Sequence, residues 1–217
     1  MPQAEDPKPL RLDRVSIRLH DHELVGIDAA IAPGQVLTVM GESGSGKSTL
    51  LAFVAGFLEP VFTASGRVLL GEDEITSLPP HERRTGLLFQ DAMLFPHMSV
   101  GENLLFALPR GDARSARIAA VNNVLADAGL EGFFDRDPAT LSGGQKARVA
   151  LARTLLSKPR ALLLDEPFSK LDASRRQTIR RHVFDTAKAV GLPVLLVTHD
   201  RADAEAAGGP VFDLDDQ

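Results

Sequence analysis

Residues 36 to 56 read VLTVMGESGSGKSTLLAFVAG, a β-branched apolar run that meets a glycine loop and passes directly into a helical pattern. A chain containing this segment must place a strand, a tight loop and a helix in immediate succession, which is the entry unit of an open α/β sheet. The spacing Gly41, four residues, Gly46, Lys47, Ser48 fits a phosphate-binding loop. Glycines allow the N–H groups of Glu42, Ser43, Gly44 and Ser45 to curl around phosphate oxygens that a Cβ would obstruct. Lys47 is expected to neutralise β and γ phosphates, and Ser48 to offer its hydroxyl to Mg²⁺. Thr49 follows in the first helical turn, where the helix dipole favours an anion.

A second apolar run, Ala161 to Leu164, lacks polar alternation and ends in two acids, Asp165 and Glu166. That pattern fits a strand buried on both faces of a parallel sheet and ending at its ligand edge. Asp165 is placed to hold the metal through water, and Glu166 to polarise an attacking water as general base. The plainer alternative, two acids capping a turn, loses ground because the phosphate loop is present too. PVLLVTHD repeats the design, with Val194 to Val197 as the strand and His199 at its C-terminal end, where an imidazole can meet a γ-phosphate or the water. The other five histidines show no metal-ligand spacing.

Taken in order, the phosphate loop, Gln90 in TGLLFQ, LSGGQ at Leu141 to Gln145, ALLLDE, SKLD and His199 resemble the ATP-binding subunit of ABC transporters over nearly the whole chain. The resemblance implies a P-loop NTPase: a mostly parallel core sheet, an N-terminal antiparallel β subdomain and an inserted α-helical subdomain. It implies that Gln90 touches Mg²⁺ or the water. Ser142, Gly143 and Gly144, with Gln145, would form a second phosphate cradle serving the opposite subunit. Asp172 would communicate across that interface. ATP and Mg²⁺ are the implied cofactors. Two copies packed head to tail around two ATP molecules, an integral-membrane permease and a solute-binding protein are the implied partners.

Two departures stand out. The chain has no Tyr and no Trp, so the adenine-stacking position near the N-terminus would fall to Leu19 or His20. Lys170 occupies a place in SKLD where the family more often has a small residue.

At 217 residues and 44% hydrophobic content the chain suits one α/β domain. The expected division is a core at 1–90 and 158–217, with residues 91–157 as the helical insertion carrying the signature. Residues 10 to 36 alternate apolar and polar, as half-exposed antiparallel strands do. Helices are expected in SVGENLLFAL, SARIAAVNNVLADAGL and the segment after the signature. No apolar run approaches the length of a bilayer span, and MPQAEDPKPL carries no signal core, so a cytoplasmic protein, peripheral on the inner face of the membrane, is expected. A net charge of −5 disfavours nucleic acid as a partner. Cysteine is absent, which excludes disulfides and thiolate metal sites. DAMLFPHMSVGENLLFAL resembles the stretch of bacterial nutrient importers that receives a short helix of the membrane subunit, with Phe95, Pro96, His97 and Met98 expected at the surface. The chain stops at Gln217, so regulation through an appended domain is expected to be missing. An exporter subunit and a non-transport ATPase switch remain the alternatives.

Overall fold

The computed structural model describes residues 7–109, 111–171 and 173–215. The alternating N-terminal stretch forms β1 (Leu10–Leu19) and β2 (His22–Ile31). They pair antiparallel, Leu10 opposite Ile31 and Leu19 opposite His22. β3 (Val36–Met40) leads through the glycine loop into α1 (Lys47–Ala55). After α1 come β4 (Phe62–Leu70), β5 (Asp73–Glu74), α2 (Pro80–Arg83) and β6 (Thr85–Leu88). Three helices follow, α3 (Val100–Ala107), α4 (Arg114–Asp127) and α5 (Gly143–Leu156). The chain continues through β7 (Ala161–Asp165), α6 (Ala173–Ala189), β8 (Val194–Val197), α7 (Arg201–Ala207) and β9 (Val211–Asp213).

Two compact units result. The first takes the chain up to Leu87, Arg160–Glu166 and everything from Arg180 onward; the second takes Leu88–Pro159 and Pro167–Ile179. The first unit holds a four-stranded sheet in the order β2-β1-β4-β5 and most of a five-stranded sheet in the order β6-β7-β8-β3-β9. Within the larger sheet β7 with β8, β8 with β3 and β3 with β9 are parallel. This architecture is the P-loop NTPase fold expected from the sequence. β8 and the first four residues of both β3 and β7 are buried throughout, as apolar runs without alternation require.

The sequence reading did not name β4 and β5, which complete the antiparallel sheet, although exposure along β4 alternates as a half-buried strand should. β1 breaks its register against β4 between Asp13 and Ser16, and Arg14 sits there at φ 48°. Gly66 faces that bulge. A Cβ on it would lie 2.3 Å from the Arg14 carbonyl oxygen, so only glycine allows the two backbones to meet. Leu10, Leu12, Ile17, Leu50, Leu70, Leu163 and Leu195 are among the side chains of this unit's core. At the C-terminal end of α1 the buried Arg83 donates from Nη1 to the carbonyls of Phe53 and Val54 at 2.7 and 3.0 Å, adding a side-chain donor to the last turn of the helix.

The second unit has its own core, built from Val100, Leu104, Val121, Leu125, Leu130, Leu141 and Val149. The loop before α3 is shaped by two polar side chains. Asn103, fully buried, accepts from Phe95 N at 2.8 Å and donates to the carbonyls of Phe95, Met98 and Ser99. Arg153 donates to the carbonyl of Met93 at 2.8 Å, and its guanidinium stands 5.4 Å from the Phe95 ring centroid. Phe95 also meets Phe106 edge-on at 5.1 Å. Hence Phe95 and Met98 are half-buried rather than at the surface as the sequence suggested, while Pro96 and His97 are exposed as expected. The most exposed apolar side chains nearby are Met93 at 62% and Phe106 at 67%.

Candidate active site

Three adjacent strands of the parallel sheet bring the sequence-predicted residues to one edge. β8 lies between β3 and β7, and Val39, Val197 and Asp165 stand opposite one another across it. The C-terminal ends therefore deliver the glycine loop, His199 and the acid pair side by side. Such an edge is where open α/β sheets bind ligands, because helix N-termini and strand ends leave backbone donors unpaired there.

Gly46 precedes α1 at φ 93°, and a Cβ there would come within 2.8 Å of Val25 Cγ2. Both the left-handed backbone and the close approach of β2 demand glycine at this position. Lys47 is 5% exposed and folds back over its own loop, donating to Gly41 O at 2.7 Å and Glu42 O at 2.5 Å. Sequence reasoning missed Asp215, whose Oδ2 accepts from Glu42 N at 2.8 Å and steadies the loop entrance. Its signal was an acid just past a strand end. β9 pairs with β3, Met40 opposite Asp213, which carries Asp215 to the loop.

Ser48 Oγ donates to Asp165 Oδ1 at 3.0 Å, bringing a hydroxyl and a carboxylate oxygen together at the first turn of α1. Such hard oxygens suit Mg²⁺, which takes one or two protein ligands and completes its octahedron with water and phosphate. Among the described residues no group of three or more His, Cys, Asp or Glu could cage a metal by itself. Burial pushes the Asp165 carboxyl above its ordinary range and the Glu166 charge adds to this, against the Ser48 hydrogen bond and the Lys47 charge. Two oxygen donors and a raised carboxylate pKa describe a site that gains from an incoming cation.

Glu166 takes φ 43°, a left-handed conformation uncommon outside glycine, and its N–H donates to Val197 O at 3.0 Å. That turn away from the strand leaves Glu166 Oε1 3.0 Å from His199 Nδ1. With the carboxylate ionised, Nδ1–H is the donor in this contact. Carboxylate and imidazole together can hold a water and take its proton.

The other candidates belong to the second unit. Ser142 caps α5 with a capping box: its Oγ accepts from Gln145 N at 3.4 Å, and Gln145 Oε1 accepts from Ser142 N at 2.9 Å. Both side chains thus serve their own helix end, a pattern readable from the spacing Ser-x-x-Gln. Gly143 differs from Gly46, because a Cβ there would meet nothing nearer than Leu171 Cδ2 at 3.8 Å. Gln90 is exposed beyond the end of β6. Lys170 donates to Asp91 Oδ1 at 2.6 Å, which answers where this unusual lysine points within its own chain. Asp172 lies outside the described residues. Of the two adenine candidates, His20 is exposed at φ 53° in the turn between β1 and β2, and Leu19 is half-buried.

Residues 24–169 match the family model described as ABC transporter. Over 198 residues the chain is 49% identical to the uncharacterized ABC transporter ATP-binding protein YnjD of Escherichia coli K12, an alignment covering 91% of each protein. It is 46% identical over 186 residues to the sulfate/thiosulfate import ATP-binding protein CysA of Xylella fastidiosa, covering 83% of this chain and 53% of that one. It is 38% identical over 216 residues to the putrescine transport ATP-binding protein PotG of Escherichia coli K12, covering 97% and 56%. The chain thus spans about half the length of the named transport proteins and nearly all of YnjD. Motif order, sheet topology and these matches agree, and the chain belongs to the ABC transporter family as an ATP-binding subunit, an ATPase.

Proposed function

We propose that this subunit powers the import of a small solute, hydrolysing ATP at a site completed by a second copy of the same chain. The observation that carries the reading is the meeting of Ser48 with Asp165 and of Glu166 with His199 at one sheet edge beside the glycine loop. In this reading loop amides and Lys47 bind the phosphates, and Ser48 with Asp165 hold Mg²⁺, which neutralises phosphate charge. Glu166 orients the attacking water and accepts its proton at Oε, while His199 keeps that carboxylate in place. Gln90 and Asp172 are proposed to link the site to the helical unit and to the second copy.

The unencumbered Gly143 supports the second copy: nothing in its own unit requires glycine there, so the space suits a phosphate arriving from outside the chain. Import is supported by the similarity to the sulfate/thiosulfate import protein CysA. The exposed Met93 and Phe106, beside the loop held by Asn103 and Arg153, offer an apolar surface for a permease helix. No helix among the described residues is long and apolar enough to cross a membrane, so we place the transport path in separate permease chains and the subunit on the inner face of the membrane, with a solute-binding protein as a further partner.

Affinity purification of the tagged subunit from its own membranes, without nucleotide, tests the reading. A retained multi-span protein is the expected result. Recovery of soluble proteins alone overturns transport in favour of a free-standing ATPase switch. On the same material Glu166→Gln is expected to run as a dimer in Mg²⁺ and ATP during size exclusion, and a monomer would refute the shared site.

A further inference from the structure

His199 is a side chain with little to hold it. It is 56% exposed, and its recorded polar contact is the one to Glu166. Its orientation therefore depends on the backbone that carries it. Both flanking residues are tied down by a polar cluster that the hydrolytic reading does not use.

Thr198, on the N-terminal side, is 1% exposed, and its Oγ1 donates to Asp203 Oδ2 at 3.0 Å. The same Oγ1 accepts from Asp200 N at 3.0 Å, so one hydroxyl bridges over His199 to the residue after it. Thr198 N donates to Val39 O at 3.2 Å, fixing this point to β3. Asp203, 3% exposed, receives Arg180 Nη2 of α6 on its other carboxylate oxygen, and Arg180 is itself 8% exposed. Asp200 closes the first turn of α7 by accepting from Ala202 N at 2.8 Å. An arginine, an aspartate and a threonine thus lie buried under a single exposed imidazole.

Energetics sharpen the point. Burial pushes the Asp203 carboxyl up, and Arg180 works against that shift. A buried ion pair generally stabilises a fold no more than apolar side chains of similar volume, because desolvation of both charges cancels most of their attraction. Apolar packing would join α6 to α7 as well, but it would not hold one hydroxyl in the orientation that spans His199.

We propose that Arg180, Asp203 and Thr198 are positioning residues for ATP hydrolysis, forming a buried clamp that aims His199 at Glu166. The inference rests on the reading of Glu166 and His199 given above. It predicts that loosening the clamp affects the chemical step and leaves nucleotide binding alone, since neither Thr198 nor Asp203 reaches the surface. A misplacement of the order of 1 Å at a catalytic group costs about 10- to 100-fold in rate.

The experiment is steady-state and single-turnover hydrolysis of ATP with Mg²⁺ by Thr198→Val and Thr198→Ser, each alone and combined with His199→Ala. Valine keeps the shape and removes the hydroxyl. The expected result is a fall in kcat of about 10-fold or more for Thr198→Val, with KM within about twofold of the starting protein. Thr198→Ser should restore most of the rate, and Thr198→Val should cost nothing further once His199 is alanine. Unchanged kcat, a KM that rises in step with the loss, or an equal loss in the His199→Ala background would each overturn the clamp. Should Thr198→Val fail to fold, Asp203→Asn is measured against the same outcomes. Full activity of His199→Ala alone would instead remove the site reading on which the clamp depends.

Discussion

The loop before α1 and the turn before α5 both present glycines at a helix N-terminus, yet they are built in opposite ways. At Gly46 the backbone is left-handed and β2 presses against the position, so glycine is compulsory for the fold itself. At Gly143 the capping box of Ser142 and Gln145 already satisfies the helix end, and the space in front of the glycine is vacant within its unit. One glycine answers to its own chain. The other is not required by its own unit, which is what the proposed half-site would look like.

The largest expected effect comes from the self-contained loop. Lys47→Ala removes the charge proposed to face the phosphates, and loss of one buried partner to a charged ligand costs about 3 kcal/mol, roughly a 100-fold weaker Kd. Titration with a fluorescent ATP analogue measures it, and an unchanged Kd would break the assignment. Next come the paired glycine variants. Gly46→Ala should lower stability by about 1–3 kcal/mol through backbone strain, seen in thermal unfolding without nucleotide. Gly143→Val should leave that unfolding curve within about 0.5 kcal/mol while ATP hydrolysis falls at least about 10-fold. Were both variants to lose stability alike, the two glycines would be doing the same job and the comparison would collapse.

The smallest effect concerns Asp165. Its folded pKa is raised by burial, so the folded protein binds that proton more tightly than the unfolded chain. Stability of the nucleotide-free protein therefore falls as pH rises from the ordinary carboxylate value of about 3.9 through the raised one. Asp165→Asn removes this cost and is expected to raise Tm by about 2–4 °C at pH 7, with the gain vanishing below about pH 4. Hydrolysis should be lost at the same time. A lower Tm at pH 7 would mean that the Ser48 contact outweighs the burial.

Legibility in the sequence followed locality. The glycine loop, the buried runs of β3, β7 and β8 and the polar residues at their ends each lie within a few neighbours, and spacing alone revealed them. Asn103 and Arg153 could not be found that way, because their partners are carbonyls of a loop with no motif. The same holds for Asp203, which looks like any helix-surface acid until Arg180, 23 positions away, is seen to reach it. Glu166 stood out in the sequence beside its neighbour Asp165, but its left-handed backbone and its meeting with His199 did not. Phe95 misled for a related reason: its loop composition suggested exposure, and an arginine stack and Phe106 half-cover it.

Lys47 carries a consequence for the pace of the catalytic cycle. Its ammonium leans on the carbonyls of Gly41 and Glu42, buried and hydrogen-bonded. In the proposed role, an arriving triphosphate would swap one set of oxygens for another around a cation already withdrawn from bulk water. The loop needs little ordering before it can bind. On the same proposal, a departing nucleotide would leave Lys47 with carbonyl partners to return to.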